Sequence, residues 1–303
     1  MDHKSKIILI SGPTASGKSS FAIKIAKKIK GEIINADSMQ VYREFKILTA
    51  RPNLIEQKKI KHHLYGFLSI KKNFSTGQWL NLATKKIKEI HKKNKIPILV
   101  GGTGLYFQAL IDGLVKIPKI PIKKRRKIFN LQKKLGQNKF YKKLIKIDPK
   151  IKVLIDPNDV QRSIRAYEVK WFTKKSLLDW YKETKPIFMK DCFVKIYLDC
   201  PRDILLERIK NRVKKMLPEG IKEVKKFKNI RFPQRSSSNK IIGIKEIKNL
   251  VDKKLNKDQT VELMVIKTRQ YAKRQATWAR GKMKSWKTVS TLDSNLSVKK
   301  LFN

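Results

Sequence analysis

Eight consecutive residues, Gly12-Pro13-Thr14-Ala15-Ser16-Gly17-Lys18-Ser19, have the types and spacing to hold a phosphate. Two glycines bracket four residues and are followed by Lys and Ser, the phosphate-loop (P-loop) arrangement. In such a loop backbone N–H groups curl around phosphate oxygens. Lys18 adds a mobile positive charge, and the Ser19 hydroxyl reaches a bound Mg²⁺. A second chemical cluster is Asp37-Ser38-Met39-Gln40, which follows the apolar residues Ile33 and Ile34. A carboxylate at the end of a strand beside a phosphate loop can hold a metal or its water, or take a proton from a bound nucleophile. The alternative for Asp37 is the N-cap of a following helix. Gln40 has the amide that reads an adenine edge.

Three further motifs carry polar chemistry. In Gly101-Gly102-Thr103-Gly104, three glycines surround one threonine and make a close-approach loop. Thr103 there offers a hydroxyl to a phosphate or a base, or the loop is only a tight turn into the next helix. In residues 156–166, Asn158 or Asp159 caps a helix that carries Gln161, Arg162, Ser163, Ile164 and Arg165. Arg162 and Arg165 fall three apart on one face, where they grip adjacent phosphates or form a solvated basic surface. In residues 268–280, Arg269, Lys273 and Trp278 suit a phosphate backbone and a stacked base, unless this is an amphipathic helix with Trp278 in the core. His62-His63 has no acidic or cysteine neighbours in sequence and is expected to start a strand rather than hold a metal.

The elements that must position these residues follow from hydrophobic periodicity. Apolar runs at residues 6–11, 32–36, 63–67 and 96–101 alternate with helical patterns at 20–30 and 78–94. That alternation predicts an α/β fold: a P-loop NTPase-like parallel sheet with helices on both faces. Past Gly113 the texture changes to basic helical stretches without a strand. A late strand is expected at 193–199, followed by helices at 202–216, 243–253 and 259–277. A short strand and a frayed tail are expected over 288–303. The expected organisation is therefore a first core part over 1–112, a basic helical insertion over 113–190, and a second core part over 191–303.

Composition sets the class. The 303 residues carry 73 Lys+Arg against 24 Asp+Glu, a formal net charge of +49. A field of that size attracts polyanions, nucleic acid first. Lysine and isoleucine abound along the whole chain, so local clusters such as Lys123-Lys124-Arg125-Arg126-Lys127 say more than the total. With two cysteines, no visible signal peptide, and a longest apolar region, Ile96 to Val115, that is interrupted by four glycines, Gln108 and Asp112, a cytoplasmic protein without a membrane span is expected. A monomer is expected.

These motifs, in this order and over nearly the full length, resemble the tRNA isopentenyl/prenyl transferase family. The resemblance implies a P-loop fold that has exchanged a nucleotide for dimethylallyl diphosphate. It also implies transfer of the dimethylallyl group to N6 of the adenosine just 3′ of the anticodon in tRNA. It implies diphosphate contacts on Thr14, Ala15, Ser16, Gly17, Lys18 and Ser19. Contacts to the tRNA anticodon stem-loop are implied on Asp37, Ser38, Met39, Gln40, Thr103, Arg125, Gln161, Arg162, Ser163, Ile164 and Arg165. Asp37 is the expected base, with Lys18 and Thr103 as catalytic partners and Mg²⁺ held by Ser19 and Asp37. Two departures stand out. Ser19 occupies a position usually held by Thr, and the stretch 239–246 has Ile244 in place of an aromatic. Where the family presents an arginine for the diphosphate, this chain offers Lys240 and Lys245. The alternatives are a P-loop small-molecule kinase, which calls for neither the Asp37 nor the Gly101 motif, and a non-catalytic RNA-binding ATPase or GTPase module.

Overall fold

The computed structural model describes residues 6–227, 229–230, 232 and 237–292. The chain divides into two compact units, Met1–Ile111 with Phe188–Asn303, and Asp112–Ile187.

The first unit is built on a six-stranded parallel sheet. Its strands are β1 (Ile7–Ser11), β2 (Glu32–Asn35), β3 (His62–His63), β4 (Pro97–Gly101), β5 (Phe193–Asp199) and β6 (Lys287–Ser290), in the spatial order β3-β2-β4-β1-β5-β6. Every residue of β1, β2 and β4 is buried, as continuous apolar runs in a doubly covered sheet must be. Ile8, Ile10, Ile33, Ile98 and Val100 pack on Phe21, Ala22 and Ile25 of helix α1 (Lys18–Lys28). The alternate residues Ile7, Leu9, Ile34 and Leu99 are equally buried on the other face.

Helix α2 (Leu54–Lys59) is a short exposed turn. Helix α3 (Thr76–His91) begins at a capping box: Ser75 Oγ accepts the Gln78 N–H, and Gln78 Oε1 accepts the Ser75 N–H. Its Trp79 donates to the Asn35 carbonyl at 2.8 Å and stacks on Tyr106 of helix α4 (Gly104–Asp112).

The second unit is helical, with helices α5 (Ile122–Ile147), α6 (Val160–Thr173) and α7 (Leu177–Lys182) around Phe140, Leu144, Ile151, Ala166 and Val169. Helix α5 breaks at Gly136, whose φ of 71° suits glycine alone. Back in the first unit, helices α8 (Arg202–Lys226), α9 (Ile244–Val251) and α10 (Lys257–Lys282) share a core with Val41, Tyr42 and Phe45.

Two element boundaries differ from the sequence expectation. The run at 63–67 is a strand only over His62–His63, because Leu64 and Gly66 take positive φ values of 62° and 57° and turn the chain. Helix α8 continues past residue 216, through Pro218, to Lys226. Leu217, Gly220 and Val224 are buried there, and this packing outweighs the cost of proline in the helix interior. The last strand lies at Lys287–Ser290, and the expected tail at 293–303 lies outside the described residues.

Candidate active site

The first phosphate-site requirement, a tight loop between strand and helix, is met between β1 and α1. Gly12 must lack a side chain because a Cβ there would lie 2.5 Å from the Leu198 carbonyl oxygen of β5. Gly17, at φ 90°, turns the chain into the first residue of α1, Lys18. Gly12 and Pro13 form the buried base of the loop. Lys18 folds back so that Nζ donates to the Pro13 carbonyl at 2.6 Å. Ser16 is buried, and its Oγ has no hydrogen-bond partner among the described residues.

The residues after β2 lie at the carboxyl end of the same sheet, where such folds bind ligands. Asn35 is fully buried and fixes this turn. Its Oδ1 accepts the Asp37 N–H at 2.8 Å, while its Nδ2 donates to the Asp37 and Leu64 carbonyls. Asp37 Oδ1 accepts the Met39 N–H at 2.8 Å, and no helix follows, so Asp37 is not a helix cap.

Charge is concentrated here. Burial pushes the Asp37 carboxyl above the usual carboxylate range, against the Met39 amide and the positive charges of Lys18 and Arg212. Burial lowers Lys18 to about 8, with Asp37 opposing the shift and Arg212 adding to it. Arg212 is itself lowered by burial and held up by Asp37.

The loop after β4 closes the third side. A Cβ on Gly101 would lie 2.0 Å from the Ala36 carbonyl oxygen, one on Gly102 would lie 1.9 Å from Gln275 Nε2, and one on Gly104 would lie 2.1 Å from Trp278 Nε1. These glycines therefore allow close approach to the protein's own β2 turn and α10. Thr103 Oγ1 accepts the Ser38 N–H at 2.9 Å and donates to Ser38 Oγ at 3.2 Å, so it holds the Asp37 turn in place. Gln40 Nε2 donates to the Thr49 and Ala50 carbonyls. Both of its donor hydrogens are spent, so the amide cannot read adenine as a bidentate pair.

A cavity of about 1150 Å³ opens between these loops. Its walls bring together Thr14, Ala15, Ser16, Gly17, Lys18 and Ser19 with Asp37, Ser38, Met39, Gln40 and Thr103, and with Lys240, Lys245 and Trp278. Arg269 and Lys273 instead sit exposed on α10, outside the cavity wall.

The sequence reading missed two arginines. Arg208 and Arg212, one turn apart on α8, line the cavity. Arg212 donates to Thr14 Oγ1 at 3.4 Å, and Arg208 reaches the Ser16 carbonyl at 3.5 Å. The i, i+4 spacing after a strand was the available signal. It also gave no role to Gln275, although that residue lies inside the motif over 268–280.

In the second unit, Asp159 caps α6, with its Oδ1 accepting the Arg162 N–H at 2.9 Å. Gln161 and Arg162 are exposed, and Arg162 pairs with Asp159 at 3.2 Å. Arg165 turns to Glu168 instead. This buried carboxylate accepts from Arg165 Nη1 at 3.3 Å and from Arg125 Nε at 3.2 Å. Ser163 is buried beside Gln137, and Ile164 packs against the core of this unit. These two side chains face inward, because the surface stripe of a helix recurs at every third or fourth residue.

Among the described residues, no group of three or more His, Cys, Asp or Glu forms a metal cage. A parallel sheet with a P-loop opening a helix at its carboxyl edge, beside a cavity lined by Lys18, Arg208 and Arg212, places the chain in the P-loop α/β fold class. The family model described as IPP transferase matches residues 40–282, and the chain belongs to that family. It is 60% identical to the tRNA dimethylallyltransferase of Pelagibacter ubique, over 99% of this chain and 96% of that protein. With the Rickettsia canadensis enzyme of the same name it shares 42%, over 93% and 87%. A solved eukaryotic dimethylallyltransferase acting on tRNA superposes with a TM-score of 0.84 at 30% identity, over 98% of this chain and 77% of that one. The Bacillus halodurans tRNA isopentenylpyrophosphate transferase gives 0.69 at 33%, over 98% and 94%.

Proposed function

We infer that this chain transfers the dimethylallyl group of dimethylallyl diphosphate to N6 of the adenosine 3′-adjacent to the anticodon in tRNA. The observation that carries this reading is the placement of a phosphate loop, two cations and a carboxylate of raised pKa around one cavity. The loop and Lys18 receive the diphosphate, supported by Arg212, with Lys240 and Lys245 as further cations on the wall of the same cavity. As the allylic C–O bond breaks, Lys18 and Arg212 neutralise the charge that collects on the leaving diphosphate. The adenine N6 lone pair forms the new C–N bond, and Asp37 takes the N6 proton. Burial makes Asp37 a stronger base than an ordinary carboxylate. Thr103 positions this base through Ser38.

The Ser19 hydroxyl would hold Mg²⁺ together with the substrate phosphates, and Asp37 would reach the ion through one of its waters, leaving the carboxylate free as the base. When bound, the ion adds positive charge at the leaving group. The target base must leave its stack to reach a buried carboxylate. Arg125, Gln161, Arg162 and Arg165 in the second unit, and Arg269 and Lys273 on α10, supply contacts to the tRNA backbone. Ser163 and Ile164 serve by seating their helix. No helix among the described residues is long and apolar enough to cross a membrane, and the cytoplasm is the proposed compartment.

Incubation of the purified protein with labelled dimethylallyl diphosphate and unmodified tRNA tests the reading. Label moves to tRNA. Label that stays off tRNA, while the γ-phosphate of ATP moves to a small molecule, establishes the kinase alternative instead.

A further inference from the structure

Helix α10 sends one side chain into the site whose two polar ends bond to loop backbones, with Tyr271 hydrogen-bonded to the same amide. Gln275 Oε1 accepts the Thr14 N–H at 2.8 Å, and Gln275 Nε2 donates to the Gly102 carbonyl at 3.0 Å. Only one orientation of the amide satisfies both partners, since a flipped group would set N–H against N–H and oxygen against carbonyl. The acceptor oxygen therefore faces the phosphate loop. Gly102 has no room for a Cβ because this amide already fills the space.

A phosphate loop holds anions with backbone N–H groups, and a longer phosphate chain brings more oxygens that need donors. The amino-terminal side of this loop is short of them. Pro13 has no N–H. The Ser16 N–H goes to the Pro13 carbonyl at 3.2 Å, and the Thr14 N–H goes to Gln275. The opposite side, where Gly17 and Lys18 open α1, keeps the anion-binding character of a helix N-terminus.

We propose that Gln275 sets the length of phosphate chain that the loop accepts, admitting a diphosphate and opposing a third phosphate with its carbonyl oxygen. The proposal rests on the assignment of the loop to the diphosphate of the donor. Gln275 is thus a specificity-determining residue that also ties the phosphate loop to the Gly102 loop.

Inorganic pyrophosphate and tripolyphosphate are the probes, titrated by calorimetry into the full chain without added metal. The wild-type chain prefers pyrophosphate. Gln275→Ala frees the Thr14 N–H and removes the opposing oxygen, so tripolyphosphate gains and the preference falls roughly tenfold, the worth of one charge-assisted hydrogen bond. Gln275→Glu keeps an acceptor for the Thr14 N–H, gives up the donor to the Gly102 carbonyl and adds negative charge beside the loop, so the preference for the shorter chain widens. Opposite changes in the two variants separate this role from a structural one, which weakens both probes together. Where Gln275→Ala fails to fold, the direction of change in Gln275→Glu decides. An unchanged preference in the variants, or a wild-type preference for tripolyphosphate, overturns the role of Gln275 alone. A wild-type chain that does not bind pyrophosphate overturns the donor assignment itself.

Discussion

The cleft around Lys18 and the arginine cluster around Glu168 handle charge in opposite ways. In the cleft, Lys18 donates to a neutral carbonyl, Arg212 to a neutral hydroxyl, and Asp37 accepts from a backbone amide. Their mutual influence is felt through space, as shifts away from ordinary ionisation. Charges held in this way remain available to a ligand. In the helical unit, the buried Glu168 takes Arg125 and Arg165 into direct ion pairs. The carboxylate there fixes the two guanidinium groups while leaving each partly exposed.

Removal of the central carboxylate of the cleft tests its side of this contrast most severely. Asp37→Asn is expected to keep tRNA affinity and lose roughly 10²–10⁴-fold in single-turnover transfer. Near-normal transfer would remove Asp37 from the role of base. The matching change in the helical unit, Arg125→Ala with Arg165→Ala, strands a buried carboxylate. It is expected to cost about 2 kcal/mol in urea unfolding, and the further change Glu168→Leu should recover most of that loss. A double variant as stable as the wild type would mean that Glu168 is solvated and the pairs are incidental.

The pH dependence sharpens the cleft's side of the contrast, because burial raises Asp37 and lowers Lys18 there. Asp37 must be ionised to accept a proton, and its carboxyl is raised, so the acid limb of kcat/KM is displaced upward from the ordinary carboxylate range. Lys18 must be cationic, so the rate falls as pH rises through about 8. Each limb has a slope of about tenfold per pH unit. A profile whose acid limb lies where an ordinary carboxylate titrates, and which shows no fall near pH 8, would contradict both shifts. The smallest effect is expected at Arg162, whose partner Asp159 is also solvent-facing. Arg162→Ala should change stability by less than about 1 kcal/mol and reduce the salt slope of tRNA binding by about one. An unchanged slope would place Arg162 off the RNA.

The fold was legible where periodicity and glycine chemistry agree. Parallel strands, the phosphate loop and the Asp37 turn follow from local runs in the sequence. The limits of α8 and β3 do not, because Pro218 is overridden by the burial of Leu217 and Val224, and a positive φ at Leu64 has no local signature. Residues that act through long-range contacts were hidden for the same reason. Gln275 meets Thr14, and Arg212 meets the same residue, only once α10 and α8 are packed on the sheet. Conversely, Arg162 and Arg165 look equivalent in sequence, and the buried Glu168 separates them.

A crystal structure with an unreactive thio-diphosphate analogue of the prenyl donor tests the central claim most directly. The analogue's two phosphates are predicted to lie in the loop of residues 14–19 between Lys18 and Arg212, with its allylic carbon facing Asp37. Density for the analogue elsewhere, or ATP seated in the loop with its terminal phosphate aimed at an acceptor, would contradict it.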